Sequence, residues 1–190
     1  HTKTWFHTGV FLGRERVSRH FEDEYFVEGL PLDEARKQLL LEDTILPPGL
    51  SLDEEREACR ALKGSMLRQE VCAEDADHEG ATPEQLKRAG RPYTVAEQSF
   101  SIRRAQPRGA NRHAVFFTHA REALTYHYER NLDDPRVQHA LTLKVDPYGN
   151  VLEQVAIGYG RRIRDGALPT DQDRDQQSLT HITYTDNHVT

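Results

Sequence analysis

The stretch HALTLKVDPYGNVLEQVAIGYGR, residues 139–161, decides the fold class. Before its turn, the apolar residues Leu141, Leu143 and Val145 alternate with two polar residues. An alternation with a period of two predicts an antiparallel strand with one solvated face. The turn follows at 146–150, where a proline presets φ and a glycine tolerates a positive φ. The apolar residues after the turn therefore predict a second strand that returns beside the first.

The same period recurs through most of the chain after residue 64. Within residues 93–104 the apolar positions change phase, which predicts a β-bulge near Gln98. Between the strands we expect an acidic loop at 74–80 and a mobile stretch at 165–178, which has almost no apolar residue. The predicted strands are residues 66–71, 93–104, 114–117, 124–130, 139–146, 151–161 and 179–184.

The chain before residue 64 has helical periodicity instead. Val17, Phe21 and Tyr25 recur at every fourth position, and charged residues occupy the other faces. This spacing predicts an amphipathic helix over residues 13–25.

Three shorter helices are also predicted. One covers residues 33–41. A second begins at Ser51, which stands three residues before Glu54 in the capping-box arrangement, and ends at Gly64. A third covers one to two turns within 82–90. The predicted fold class is therefore α+β: a helical amino-terminal third (residues 1–64) packed on a mainly antiparallel β-sheet (residues 65–190), in a single segment.

Composition excludes several classes of function. The chain has 190 residues, of which 36% are hydrophobic and 29% charged, so its own core is thin. A formal net charge of −6 argues against a duplex nucleic-acid binder, which normally carries a basic stripe. No apolar run approaches the roughly 20 residues that cross a bilayer, so direct membrane insertion is not expected. Both cysteines are predicted to be buried thiols.

Catalytic and metal-binding patterns are weak. There is no G-x-S-x-G elbow, and the spacing of His113, His119, His127 and His139 fits no zinc motif, so no catalytic, cofactor-binding or metal-binding residue is nominated. One alternative remains a secreted, histidine-rich, metal-dependent hydrolase with a metal at His113, His119 or His127. Another is a carbohydrate- or receptor-binding module, which would need an exposed aromatic patch beside polar groups.

An ordered set of motifs carries a family resemblance. The motifs are KTWFHTG at 3–9, FEDEY at 21–25, RALKGSMLRQEV at 60–71, PYTV at 92–95 and YHYER at 126–130. Together they resemble the B subunit of bacterial insecticidal toxin complexes, the Tc toxins. The resemblance covers nearly the whole chain and lies in the region that follows the β-propeller and leads into the Rhs, or YD-repeat, shell.

The resemblance implies a function. The hairpin VDPYGNV at 145–151 is similar to a YD-type hairpin. In the family, the B and C subunits form a hollow shell around the cytotoxic carboxy-terminal part of C, and the complex docks on a pore-forming A subunit. The chain is therefore expected to be a noncatalytic shell segment of a secreted subunit, without cofactors. Two departures from the family are Cys72, where an aromatic residue is expected, and a longer connection at 74–90.

The expected partners are the remaining B subunit, the C subunit and, through the assembled complex, the A subunit. Aromatic residues of the sheet are the candidates for packing against adjoining shell strands. These interaction residues are Phe116, Tyr126, Tyr128 and Tyr159.

Overall fold

The computed structural model describes residues 1–76 and 79–188. Its strands form one mainly antiparallel sheet with the order β1-β2-β3-β4-β5-β6-β7, so each strand pairs with its neighbours in sequence. The strands are β1 (Thr2–Phe6), β2 (Met66–Cys72), β3 (Pro92–Gln106), β4 (Val115–His127), β5 (Arg136–Val145), β6 (Val151–Gly158) and β7 (His181–Asp186). The α-helices are α1 (Leu32–Gln38), α2 (Leu52–Ala61), α3 (Pro83–Ala89) and α4 (Asp171–Gln177).

The predicted helical amino-terminal third is wrong. Helices account for only 18% of the chain, the chain begins with a strand, and residues 13–25 form no α-helix but only a 3-10 turn at Glu22–Glu24. The reason lies in the backbone amides, because Val17 and Ser18 donate theirs to the carboxylate of Asp43 at 2.8 and 2.7 Å. These amides are then unavailable for helical hydrogen bonds.

The shorter helices are confirmed. α1 begins one residue before its predicted range, and α3 lies within its range. At the start of α2, the side chain of Ser51 accepts the amide of Glu54, while the carboxylate of Glu54 accepts the amide of Ser51. This reciprocal pair is the predicted capping box. The stretch 165–178, which was expected to be mobile, instead contains α4.

The strands agree with the prediction apart from β1, which was not predicted, one merger and one open point. The two predicted strands at 114–117 and 124–130 form the single strand β4. In β3, burial changes phase between Ser99 and Phe100, which are both buried, as the apolar pattern predicted. The bulge near Gln98 stays a prediction.

The chain divides into two compact units. Unit 1 comprises His1–Lys3, Gln69–Ala96 and Ala123–Thr190, and unit 2 comprises Thr4–Arg68 and Glu97–Glu122. No helix among the described residues is long and apolar enough to span a membrane.

Unit 2 contains the main hydrophobic core. Full burial of each large apolar side chain contributes about 1.5–3 kcal/mol. Aromatic residues outside the cluster pack against it, among them Phe11, Phe21 and Phe116. The buried cluster consists of Val17, Leu46, Ala58, Cys59, Leu62, Leu67, Phe100 and Ile102.

Two polar arrangements stabilise unit 2 beside this core. Arg68 donates to Glu97 at 2.7 Å, and both side chains are largely buried. The other carboxylate oxygen of Glu97 accepts the backbone amide of Leu41. Trp5, which is 9% exposed, donates its indole N–H to Glu24 at 2.9 Å and meets the ring of Tyr25 edge-on.

Unit 1 contains the β5–β6–β7 meander. β5 and β6 are joined by the predicted turn, in which Asp146 accepts the amides of Tyr148 and Asn150 at 2.8 and 2.9 Å. Gly149 has φ +100°, a conformation that side chains disfavour. After β6, the carboxylate of Asp134 holds the chain in place. It accepts hydrogen bonds from the guanidinium of Arg161 and from the backbone amides of Arg162 and Ile163. These local bonds position the three strands that form the candidate site.

Candidate functional site

The candidate site is the apolar face of the meander, here named the β5–β7 face. The antiparallel register aligns Leu141 with Val155 and Val155 with Tyr184, and it also aligns Ile157 with Ile182. Residues directly opposite each other in a sheet share a face, so these side chains form an apolar surface. On the same face it is bordered by His139, Glu153 and Asp186. None of them is buried, and Ile182 and Tyr184 are 67% and 56% exposed.

The opposite face of the same strands is polar or small. It carries Ala140 and Gln154, which are exposed, and Thr183, which is exposed on β7. β7 stands at the end of the strand order, so its second edge has no partner strand among residues 1–76 and 79–188. An apolar face next to an open strand edge is suited to further sheet packing and strand pairing.

The structure places the four predicted interaction residues in different environments. Phe116 packs against the core of unit 2. Tyr126 and Tyr128 are 6% and 3% exposed and stack on each other with ring centroids 5.5 Å apart. Tyr159 is 43% exposed, and its hydroxyl lies 3.2 Å from Nδ1 of His139. Packing of these residues against neighbouring shell strands stays a prediction.

Sequence reasoning missed Ile182 and Tyr184, the most exposed members of the β5–β7 face. Both lie in the predicted strand 179–184 and alternate with polar residues, so the apolar side of that strand was visible. The exposure of this apolar side could not be predicted, because alternation identifies an apolar face but does not show whether other residues cover it.

Two of the histidines in the metal hypothesis have hydrogen-bond partners of their own. His113 pairs with Glu57 at 2.8 Å, which lowers the pKa of that carboxyl group, and Nδ1 of His119 lies 3.0 Å from its neighbour's carbonyl oxygen, Ala120. Among the described residues, no group of three His, Cys, Asp or Glu side chains is arranged to hold a metal ion. The metal-dependent hydrolase alternative thus gains no support from the geometry.

The cysteine thiols are also poorly suited to nucleophilic chemistry. Burial raises the pKa of Cys59 to about 11, and it raises the pKa of Cys72 as well. A thiol with a raised pKa is mostly protonated near neutral pH, and the thiolate is the reactive form. Cys59 is buried as predicted, whereas Cys72 is only half-buried.

A sequence model of the insecticide toxin TcdB middle/C-terminal region matches residues 57–190. The chain belongs to this family. The resemblance to the Tc toxin B subunit is therefore confirmed, and this TcdB-family chain is a segment of an insecticidal toxin complex. No curated protein is similar enough to it to count as a match.

Solved structures agree with the family. The TcdB-family chain is 26% identical to a TcdB2–TccC3–Cdc42 structure, with a TM-score of 0.63, covering 89% of this chain and 7% of that one. It is 25% identical to a Tc holotoxin pore structure from Photorhabdus luminescens, with a TM-score of 0.68, covering 100% and 9%. It is 25% identical to a TcdB2–TccC3 structure, with a TM-score of 0.64, covering 98% of this chain and 9% of that one. The chain thus spans less than a tenth of the length of these relatives.

Proposed function

We propose that this chain is a noncatalytic structural segment of a secreted bacterial toxin-complex B subunit. In this role it forms part of an Rhs-type shell that encloses a cytotoxic effector, which the complex delivers through the pore-forming A subunit. Family membership supports the assignment to the B subunit. The observation that carries the structural role is the uncovered β5–β7 face.

The proposed partners follow from the same comparisons. The similar structures include TcdB2 together with TccC3 and a holotoxin pore. We therefore propose the remainder of the B subunit and the C subunit as direct partners, and the A subunit as a partner of the assembled complex. Residues 1–190 form one segment of the larger subunit in this proposal.

The physical basis is burial of apolar surface. Ile182 and Tyr184 expose most of their side chains, and full burial of such a side chain contributes about 1.5–3 kcal/mol. Neighbouring shell strands that cover the β5–β7 face and pair with the open edge of β7 would gain this energy. The segment and its shell would then stabilise each other.

The test places two lysines on the β5–β7 face of the complete B subunit, as Ile182→Lys and Tyr184→Lys. Light scattering after size exclusion measures assembly with the C subunit, and limited proteolysis measures protection of the carboxy-terminal part of C. We expect assembly and protection to fall at least tenfold, because burying an unpaired charge in an apolar interface costs several kcal/mol.

The matched control places two lysines on the same strand but on its opposite face, as His181→Lys and Thr183→Lys. Both positions are exposed, so this variant adds the same charge without touching the apolar face. It should assemble as the parent does. Normal assembly of the Ile182→Lys, Tyr184→Lys variant would contradict the proposal.

A further inference from the structure

A second surface feature lies elsewhere in unit 1, beside helix α3. It is a groove of about 420 Å³, here named the α3 groove. Of the six described residues that line it, four are cationic at neutral pH and one is acidic, although the whole chain carries a net charge of −6. The lining residues are Pro83, Glu84, Lys87, Arg88, Arg91 and Arg130.

One of the four cations is a fixed part of the wall. Arg130 donates to both carboxylate oxygens of Asp75, at 2.6 and 3.1 Å, and its side chain is 6% exposed. Its Nε also donates to the backbone carbonyl of Arg88 at 3.1 Å, which ties it to the last turn of α3. Arg130 therefore anchors the groove, and its charge is already balanced by Asp75.

The other three cations form no ion pair within the described residues, although the charge of Arg88 helps to lower the pKa of Asp75. Lys87 and Arg88 are exposed, and Arg91 is half-buried. Within residues 1–76 and 79–188, no carboxylate lies within ion-pair distance of any of the three. Their guanidinium and ammonium groups thus remain available to an external anion, and arginine is particularly suited to bind a carboxylate through two parallel hydrogen bonds.

We propose that the α3 groove binds an acidic peptide segment of a partner protein, whose carboxylates pair with Lys87, Arg88 and Arg91. A peptide is favoured over nucleic acid by the charge distribution. Nucleic-acid binding draws on many phosphate contacts along a basic surface, whereas here three free cations lie in one groove of an acidic chain. A short acidic peptide responds mainly to this local charge, because salt screens charges beyond about 8–10 Å.

This inference goes beyond the proposed shell function, and its test uses no toxin-complex partner, so either proposal can fail without the other. The probe is a fluorescein-labelled hexaglutamate peptide, and its anisotropy is measured as the 190-residue chain is added at about 0.1 M ionic strength, where charges beyond about 10 Å are screened. The groove variant combines Lys87→Glu, Arg88→Glu and Arg91→Glu. We expect it to bind the peptide at least tenfold more weakly than the parent, and we expect added salt to weaken the parent's binding.

The matched control variant combines Lys37→Glu, Arg60→Glu and Arg112→Glu, three exposed cations outside the groove. It has the same net charge as the groove variant, so it separates the effect of the groove from that of overall charge. Its affinity should stay within about threefold of the parent's. Circular dichroism and the melting temperature verify that each variant is folded, and the salt titration of the parent tests the proposal without any substitution.

Three results would overturn the proposal. They are absence of hexaglutamate binding by the folded parent, equal losses in the groove and control variants, and tighter binding of a labelled hexathymidylate oligonucleotide than of hexaglutamate. The last result would identify the groove as a nucleic-acid site instead.

Discussion

At the scale of single residues, His7 links the fold of unit 2 to pH. Its Nδ1 accepts the amide of Gly9 at 2.9 Å and its Nε2 donates to the carbonyl of Val17 at 2.6 Å, so the bonded ring is neutral. Burial lowers its pKa, the nearby His20 lowers it further, and hydrogen bonding to Val17 and the charge of Asp43 act in the opposite direction. Protonation of Nδ1 would remove the acceptor that holds Gly9.

The lowered pKa predicts acid sensitivity. Below the ordinary histidine pKa of 6.5, the unfolded chain binds a proton that folded His7 does not, so the free energy of unfolding falls as the pH falls toward the lowered pKa. The slope is at most about 1.4 kcal/mol per pH unit for one proton. In urea unfolding at pH 7.5 to 5.5, His7→Gln should reduce the slope by up to that amount, because glutamine does not titrate. Glutamine can still donate one hydrogen bond and accept another, so it is the least disruptive replacement.

The control for this prediction is His181→Gln on β7, where the side chain is exposed. This substitution should leave the slope as in the parent. Part of the slope should also survive in His7→Gln, since burial lowers the pKa of His20 too. A slope identical in the parent and in His7→Gln would show that His7 does not contribute.

At the scale of elements, the start of α2 depends on its capping box. Ser51→Ala removes the side-chain acceptor of the Glu54 amide, and losing such a cap typically costs about 0.5–2 kcal/mol. The free energy of unfolding in urea should fall by about 1 kcal/mol. Ser51→Thr keeps a hydroxyl and should recover most of the loss. Equal destabilisation by both substitutions would mean that the hydroxyl is not what stabilises the helix.

Elements with local signals could be predicted from the sequence. Examples are the caps of α2 and α3 and the turn at 146–150. In each of them the bonded residues are only two to four positions apart, so the bonds can be predicted from the local sequence. Residues 13–25 have an equally good helical spacing, but the amides of Val17 and Ser18 are bound by Asp43, which lies far along the chain. The every-fourth-residue spacing there reflects which side chains pack into the core, and it does not indicate a helix.

The same distinction explains α4. The stretch 165–178 has too few apolar residues to signal an element, yet Thr170 caps the helix and Arg174 donates to the carbonyl of Leu168 at 2.6 Å. Polar bonds between neighbouring residues thus order a segment that hydropathy alone describes as unstructured.

At the scale of the whole molecule, the β5–β7 face predicts self-association when no partner subunit is present. An exposed apolar face next to an unpaired edge favours pairing between copies. Light scattering over rising concentrations of the chain alone should show reversible oligomers, and Ile182→Lys with Tyr184→Lys should shift the chain to monomer. His181→Lys with Thr183→Lys should associate like the parent. A parent that stays monomeric at about 100 μM would contradict this prediction.

The candidate site was less predictable than the fold. Family motifs indicated the toxin complex, and period-two alternation indicated the strands, but neither reports which faces stay uncovered after folding. Tyr126 and Tyr128, two of the predicted interaction residues, are buried, while Ile182 and Tyr184, which were not singled out, are exposed. Lys87 and Arg88 of the α3 groove lie in a segment whose sequence predicted only a short helix.

The position of Trp5 also makes the chain optically simple. It is the only tryptophan, it belongs to unit 2, and it is shielded between the carboxylate of Glu24 and the ring of Tyr25. The tryptophan fluorescence of the chain therefore comes from one side chain. Loss of this packing exposes the indole to water and shifts its emission to longer wavelength. Unfolding of the region around β1 can be followed through this emission without any label, while a signal averaged over all amides also includes unit 1.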